Sequence, residues 1–250
     1  MRNCKLIAVA LLLLTSISAA DTGPAAPGTV LITGANRGIG LELARQYAND
    51  GWQVVGTARR PDAADDLREL DVRIVQLDVT DQHSVDKMIE ELDGQAIDLL
   101  INNAGILPPV HSINEIDFEV FNQVLAVNTV GPIRVTKALL PNLQAGEMKM
   151  IINTTSELGS LAGNTRGGFY AYRESKAALN MFTRSLAAEL KADGFTCIVI
   201  HPGWVQTDMG GPNATTSVPA SAAGIREVIA NLTAADTGTY WTFEGQNLPW

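Results

Sequence analysis

The chain has 250 residues, 46% hydrophobic and 18% charged, with 22 glycines and a formal net charge of −9. Length and composition suit one α/β domain of roughly 200–250 residues with a sizeable core, and they exclude a disordered chain. The acidic balance, without a long Lys/Arg run, excludes non-specific nucleic-acid binding.

The chain opens with "MRNCKLIAVALLLLTSISAA". Arg2 and Lys5 supply positive charge, Leu6 to Leu14 is an unbroken apolar run, and Ser18, Ala19 and Ala20 are small residues before Asp21. These are the three parts of a secretory signal, and the run is too short to span a bilayer. Residues 1–20 are expected to be a signal peptide, which implies an exported or periplasmic protein without a stable membrane anchor. The alternative is an apolar extension that is never cleaved, and the protein is then cytoplasmic. Cleavage removes two positive charges and takes the net charge from −9 to −11. It also removes Cys4 and leaves Cys197 alone, so no intramolecular disulfide forms. Cys197 lies in the apolar run "FTCIVI" and reads as a small buried hydrophobe. Residues 21–27, "DTGPAAP", read as a flexible lead-in.

Residues 28–250 show one organisation without repeat or linker. "TVLIT", "WQVVGTA", "VRIVQLD", "IDLLINN", "KMIINTT" and "FTCIVIHP" are short, β-branched-rich runs bounded by turn residues, and read as buried strands. Helical patterns lie between them: "GLELARQYAND", "VDKMIEELD" and "KAALNMFTRSLAAELKADG", the last with Gly194 as its stop. The alternation predicts a doubly wound, Rossmann-like parallel sheet of about seven strands with helices on both faces.

Thr33-Gly34-Ala35-Asn36-Arg37-Gly38-Ile39-Gly40 follows a strand and opens a helix, the context a phosphate-binding turn needs. Glycines let the backbone approach a pyrophosphate, and the helix start offers free N–H groups at a positive dipole end. The spacing is G-x-x-x-G-x-G, and a plain glycine turn is the rival reading. In a dinucleotide fold, a residue about 20 positions past the glycines meets the adenosine ribose. Here Arg59 and Arg60 stand there, with Arg37 inside the turn, and Asp62 lies past the place. Cations suit a 2′-phosphate and favour NADPH/NADP over NADH; arginines merely in solvent are the alternative. Asp78 would end the third strand near the adenine, with Val79 beside it, or else start a helix in "DVTD".

Tyr172 and Lys176 in "YRESK" are four apart on a helix and share a face. An ammonium near a phenol favours phenolate and lowers its pKa towards neutrality, which makes the tyrosine a general acid or base. Tyr170 has no such partner, because four positions on it meets Glu174.

With "TGANRGIG", "NNAG" (Asn102 to Gly105), Asn128 in "AVNTVGP", "TTSELGS", the Tyr-Lys pair and "HPGWVQT", the chain resembles the short-chain dehydrogenase/reductase family over nearly all of residues 28–250. "NTRGGFYAYRESKAALN", "HPGWVQTDMGG" and "NLPW" are similar to its C-factor/sniffer-type carbonyl reductases. The resemblance implies that Tyr172 donates a proton to a carbonyl as hydride arrives from nicotinamide. It implies that Lys176 binds the nicotinamide ribose and lowers the Tyr172 pKa, and that Ser156 hydrogen-bonds the carbonyl oxygen. Asn128 would hold a water that relays protons towards Lys176. The cofactor would also meet Asn103, Ala104 and Gly105, Val205 and Thr207, the last at the carboxamide, with Pro202 and Gly203 shaping the loop. A homodimer or homotetramer is implied too.

Ser156 is preferred over Ser160 because it makes S-x-x-G with Gly159; Ser160, 12 before Tyr172 rather than 16, is the rival. For Asn102 and Asn128, backbone bonding in a turn is the plain alternative. His83, His111 and His201 have no ligand-like spacing, so no metal is expected; His201 either packs or faces the cofactor. Trp204 and Met209 are an apolar lid or core, and Trp241 and Trp250 are core or subunit contacts. The reading is an NADPH-dependent carbonyl reductase acting on a small, fairly apolar ketone or aldehyde. The alternative is an exported nucleotide-binding signalling protein of the C-factor type with little or no turnover.

Overall fold

The computed structural model describes residues 27–108 and 112–250. The signal-peptide reading and His111 lie outside the described residues. Seven strands, β1 (Thr29–Ile32), β2 (Gln53–Ala58), β3 (Arg73–Gln76), β4 (Leu99–Asn102), β5 (Met150–Thr154), β6 (Thr196–His201) and β7 (Tyr240–Thr242), form one parallel sheet. Their order is β3-β2-β1-β4-β5-β6-β7. The six apolar runs named above supply the first six strands. β7 has three residues, too short to show a period.

The helices are α1 (Gly38–Asn49), α2 (Asp65–Arg68), α3 (Gln82–Leu92), α4 (Phe118–Leu125), α5 (Gly131–Ala145), α6 (Tyr170–Leu190) and α7 (Val218–Asn231). Two start earlier than their apolar patterns. α1 begins at Gly38 inside the glycine turn, and α3 begins where the Asp81 carboxylate accepts from the His83 N–H at 3.1 Å. α6 runs into a short 3-10 turn and stops at Gly194, whose φ of +83° suits glycine.

Adjacent strand residues point to opposite faces. In β1, Val30 and Ile32 join a core made with Leu43, Ala44 and Tyr47 of α1 and Ile225 and Ile229 of α7. Leu31 faces the other core, with Met88 and Leu92 of α3 and Val135, Leu139 and Leu143 of α5. Cys197 is fully buried there, and burial pushes its thiol pKa up to about 12, which makes it a packing residue. Among the described residues no helix is long and apolar enough to cross a membrane.

A polar thread crosses this otherwise apolar layer. Asn102 Nδ2 donates to Asn153 Oδ1 at 2.9 Å and to Thr136 Oγ1 at 3.1 Å, and Asn153 Nδ2 donates to Thr183 Oγ1 at 2.8 Å. It ties α5 and α6 to the ends of β4 and β5. Asn102 therefore bonds side chains within a strand and makes no turn. The strand order reverses between β1 and β4, so the crevice beyond their C-terminal ends is where this fold places a ligand.

Asn153→Ala would remove one hydrogen bond from the Asn102 amide, which keeps Thr136, and one from the Thr183 hydroxyl, which keeps the Leu179 carbonyl. The expected loss is about 1–3 kcal/mol, from about 0.5–1.5 kcal/mol for each hydrogen bond removed. Urea unfolding checks this, and an unchanged midpoint would contradict it.

Candidate active site

The glycine turn and the "NNAG" segment are built as one unit. Thr33 Oγ1 accepts from the N–H groups of Asn103 and Ala104, both at 3.0 Å. Asn103 Nδ2 donates back to the carbonyls of Thr33 at 3.0 Å and Gly34 at 3.3 Å. Gly34 has φ +66°, and a Cβ there would stand 3.1 Å from Ala104 Cα. A Cβ at Gly40 would stand 2.4 Å from the Gly34 carbonyl oxygen and 2.6 Å from Asn103 Nδ2. Those clashes with backbone leave glycine as the residue that fits. Asn36 is half-buried, Ile39 packs on the α1 core, and the Arg37 side chain does not cap α1. The first-turn N–H groups, beginning at Gly38, thus remain for an anion at the positive end of the helix.

Three cations rim this end of the sheet. Arg37 is exposed and pairs with Asp208 at 2.8 Å. Arg59 and Arg60 are exposed just past β2. Asp78 feels the charge of Arg59 and does not cap α3, a task left to Asp81. Its carboxylate accepts from the Thr80 N–H at 2.9 Å and the Thr80 hydroxyl at 2.6 Å. Burial works to raise its pKa, but those bonds and the charges of Arg59 and Arg134 hold it below its ordinary value. Val79 is buried against the position of Gly131, and its carbonyl accepts from Arg134 at 2.6 Å.

Tyr172 and Lys176 stand on the first turns of α6. Lys176 is 4% exposed, and its ammonium donates to the Thr154 carbonyl at 2.8 Å while lying 5.8 Å from the Tyr172 ring centroid. Burial pulls its pKa down to about 8. Tyr172 is 8% exposed, and the nearby Ser156 hydroxyl favours its phenolate. The ligand-free protein reverses the direction expected from the Tyr-Lys spacing. Burial pushes the Tyr172 pKa up to about 12, and the Ser156 bond counters only part of that. A helical spacing shows the neighbouring ammonium and not the burial, which is the largest cause here.

The serine alternative has a geometric answer. Ser156 Oγ accepts from the Leu158 N–H at 3.2 Å and acts on the Tyr172 phenol, whereas Ser160 Oγ donates to the Pro249 carbonyl at 2.8 Å and accepts from the Gly163 N–H. Asn128 sits in a single π turn, Ala126–Val130, a feature frequent at functional sites. Its Oδ1 accepts from the Ile106 N–H at 2.8 Å, and its Nδ2 donates to the Ile106 carbonyl at 2.9 Å and to Ser175 Oγ at 3.1 Å. Its side chain thus grips backbone. A Cβ built at Gly105 would be 3.4 Å from Asn128 Oδ1 and 3.8 Å from Lys176 Nζ, so this glycine keeps the floor open.

The segment after β6 closes over the turn. The Pro202 carbonyl accepts from Ser221 Oγ at 2.7 Å, and Gly203 has φ +87° with Phe243 2.7 Å from a Cβ built on it. Val205 is buried and bridges Thr216. Thr207 Cγ2 lies 3.3 Å from a Cβ built on Gly38, so this loop and the glycine turn face each other. Trp204 and Met209, 53% and 45% exposed, are surface residues of that loop and no part of the core. His201 Nδ1 is buried and finds no partner among the described residues, so satisfied packing does not describe it. Burial lowers its pKa, against the charges of Glu157 and Glu244. Among the described residues no cluster suits a metal ion.

Sequence reading missed the recess beside Tyr172. It is open to solvent and lined by Leu107, Pro108, Val120, Phe121 and Phe169. Phe169 is held at φ +53°, a conformation uncommon outside glycine, after two glycines that are also left-handed. Neither a motif nor a period marks such residues, since they meet only in the fold. Ser175, which joins Asn128 to the Tyr172 carbonyl, was missed for the same reason.

The chain matches the family model described as short chain dehydrogenase over residues 28–217. C-signal of Myxococcus xanthus is 45% identical over 154 residues, which cover 62% of this chain and 93% of that protein. Among solved structures, the carbonyl reductase Sniffer of D. melanogaster matches with a TM-score of 0.85 and 36% identity, over 89% of this chain and 99% of that one. NADPH-bound carbonyl reductase from chicken fatty liver matches with a TM-score of 0.82 and 34% identity, over 89% and 98%. With the same parallel sheet and the same family over most of its length, the chain is an oxidoreductase of the short-chain dehydrogenase/reductase family.

Proposed function

We propose that the protein is an NADPH-dependent carbonyl reductase, with Tyr172 as general acid. One observation carries the reading: a buried ammonium, a phenol and a serine hydroxyl meet at the sheet end, beside a glycine turn and an apolar recess. The site fits the cofactor. Glycines 34, 38 and 40 keep side chains out of the turn, the start of α1 is uncapped, and Arg37 and Arg59 supply cations for a 2′-phosphate. Chicken and other solved relatives carry NADPH or NADP, which supports that choice.

Bound NADPH supplies a hydride to the carbonyl carbon. Tyr172 holds the proton that passes from its Oη to the carbonyl oxygen as negative charge develops there. Ser156 Oγ donates to the same oxygen and stabilises that charge. Lys176 keeps a positive charge beneath the phenol and favours its deprotonated form. Its donors beyond the one given to Thr154 serve the ribose hydroxyls. Asn128 and Ser175 fix the Ile106 backbone and the first turn of α6, and so orient the pair; a water held at Asn128 returns protons towards Lys176. Leu107, Val120, Phe121 and Phe169 favour a small apolar ketone or aldehyde and exclude water.

The similarity to C-signal supports a second reading, a nucleotide-binding signalling protein with little turnover. A binder has no need of a phenol set against a buried lysine. The nicotinamide absorbance of NADPH, followed with ketones and aldehydes, separates the two. Wild type is expected to oxidise NADPH, and Tyr172→Phe to lose about 10²–10⁴-fold in kcat, the usual contribution of a general acid. Tight NADPH binding without turnover would favour the signalling reading.

Arg59→Ala is expected to weaken NADPH binding by about tenfold to a hundredfold, the worth of a charge-assisted bond, and to leave NADH binding nearly unchanged. Fluorescence titration with both cofactors checks this. Equal weakening of both would remove Arg59 from the 2′-phosphate.

A further inference from the structure

The segment 246–250 returns across the end of β7 and lands on the loop that Ser156 begins. The Leu248 N–H donates to the Tyr240 carbonyl at 2.8 Å. The Trp250 ring packs on Tyr240, centroids 5.4 Å apart, and the Arg184 guanidinium lies over it at 5.2 Å. Three bonds then reach the serine loop. Tyr240 OH donates to the Ser156 carbonyl at 2.5 Å, Ser160 Oγ donates to the Pro249 carbonyl at 2.8 Å, and the Ala162 N–H donates to the Trp250 main-chain oxygen at 3.1 Å. α6 holds the same loop from the opposite side, through Asn180 Nδ2 on the Gly159 carbonyl and Arg173 on the Leu158 carbonyl.

Tyr240 is 1% exposed. A phenylalanine would bury the same ring without a hydroxyl that must find a partner. That hydroxyl has one use here, to fix the carbonyl of Ser156, the residue whose hydroxyl acts on Tyr172. Ser156 itself is extended, φ −149°, and the Gly159 N–H also donates to its carbonyl at 2.8 Å. Its backbone is thus held by its own turn and by β7. Beyond it, Leu161 is exposed and gives the loop little apolar anchorage.

We propose that Tyr240 and Trp250 are positioning residues. They strap the Ser156 loop so that the Ser156 hydroxyl stays aimed at the Tyr172 phenol and the carbonyl oxygen. The proposal rests on the carbonyl-reductase reading for its effect on turnover, and on the contacts alone for its effect on the loop.

The test uses the full chain with Tyr240→Phe, Ser156→Ala and the double variant. Tyr240→Phe is expected to lower kcat about tenfold, short of the hundredfold or more for outright removal of an oxyanion donor, with the NADPH Kd unchanged. In the Ser156→Ala background it is expected to cost nothing further, because residues acting through one group are non-additive. The pH profile should move as well. The Ser156 bond lowers the Tyr172 pKa, so loosening it raises that pKa, and reduction, which needs the protonated phenol, persists to higher pH. Equal fractional losses on both backgrounds, or a parallel loss of NADPH binding, would overturn the proposal. Hydrogen exchange gives a readout independent of turnover. The amides of Gly159, Ala162 and Gly163 should exchange about tenfold faster in Trp250→Ala, with Trp250→Phe restoring protection and the amides of α1 unchanged. Unchanged protection in Trp250→Ala would overturn the strap. If wild type fails to oxidise NADPH, the reductase reading falls, and the exchange data still decide whether the strap holds the loop.

Discussion

A charge taken out of water costs several kcal/mol unless it is paired and hydrogen-bonded. Lys176 is buried with the Thr154 carbonyl as its hydrogen-bond partner, and among the described residues no carboxylate pairs with it. Burial lowers its pKa to about 8, so near neutral pH it still carries its charge, at the expense of stability. A core designed for stability alone would hold an apolar residue there. The surroundings read as a frame for that ammonium. β5 offers the carbonyl, α6 brings Tyr172 one turn away, and the π turn through Asn128 locks onto Ile106 and Ser175. Polar groups crowd this end of an apolar sheet because the site needs them there.

The frame extends in both directions along the crevice. Towards the cofactor side, Thr33 and Asn103 weld the glycine turn to the end of β4. This fixes the start of α1 relative to Lys176. Towards the substrate side, the loop after β6 faces the turn through Thr207, and Arg37 reaches across to Asp208. That exposed pair is worth little by itself. It does tie Arg37, the cation proposed to meet the nucleotide, to the loop after β6.

Much of the fold was legible because each strand is a short apolar run closed by turn residues, and a parallel sheet buries both its faces. β7 escaped, since three residues carry no period. Tyr172 and Lys176 were legible from one helical spacing, and the glycine turn from its place between strand and helix. What depends on long-range contacts was not. Ser156 and Ser160 compete on spacing, and long-range contacts such as that of Ser160 with Pro249, 89 positions away, distinguish their surroundings. The Tyr172 pKa moves against expectation because burial leaves no mark in a four-residue motif. The recess at Phe121 and Phe169 and the buried His201 Nδ1, unpartnered among the described residues, arise from packing alone.

The central claim is hydride transfer at the crevice between the glycine turn and Tyr172. The direct measurement uses NADPH deuterated at the transferable C4 position with an apolar aldehyde or ketone, followed by mass spectrometry of the alcohol. The account predicts one deuterium on the former carbonyl carbon and a hydroxyl proton drawn from solvent through Tyr172. An alcohol without the label, or bound NADPH that never yields alcohol, would contradict it.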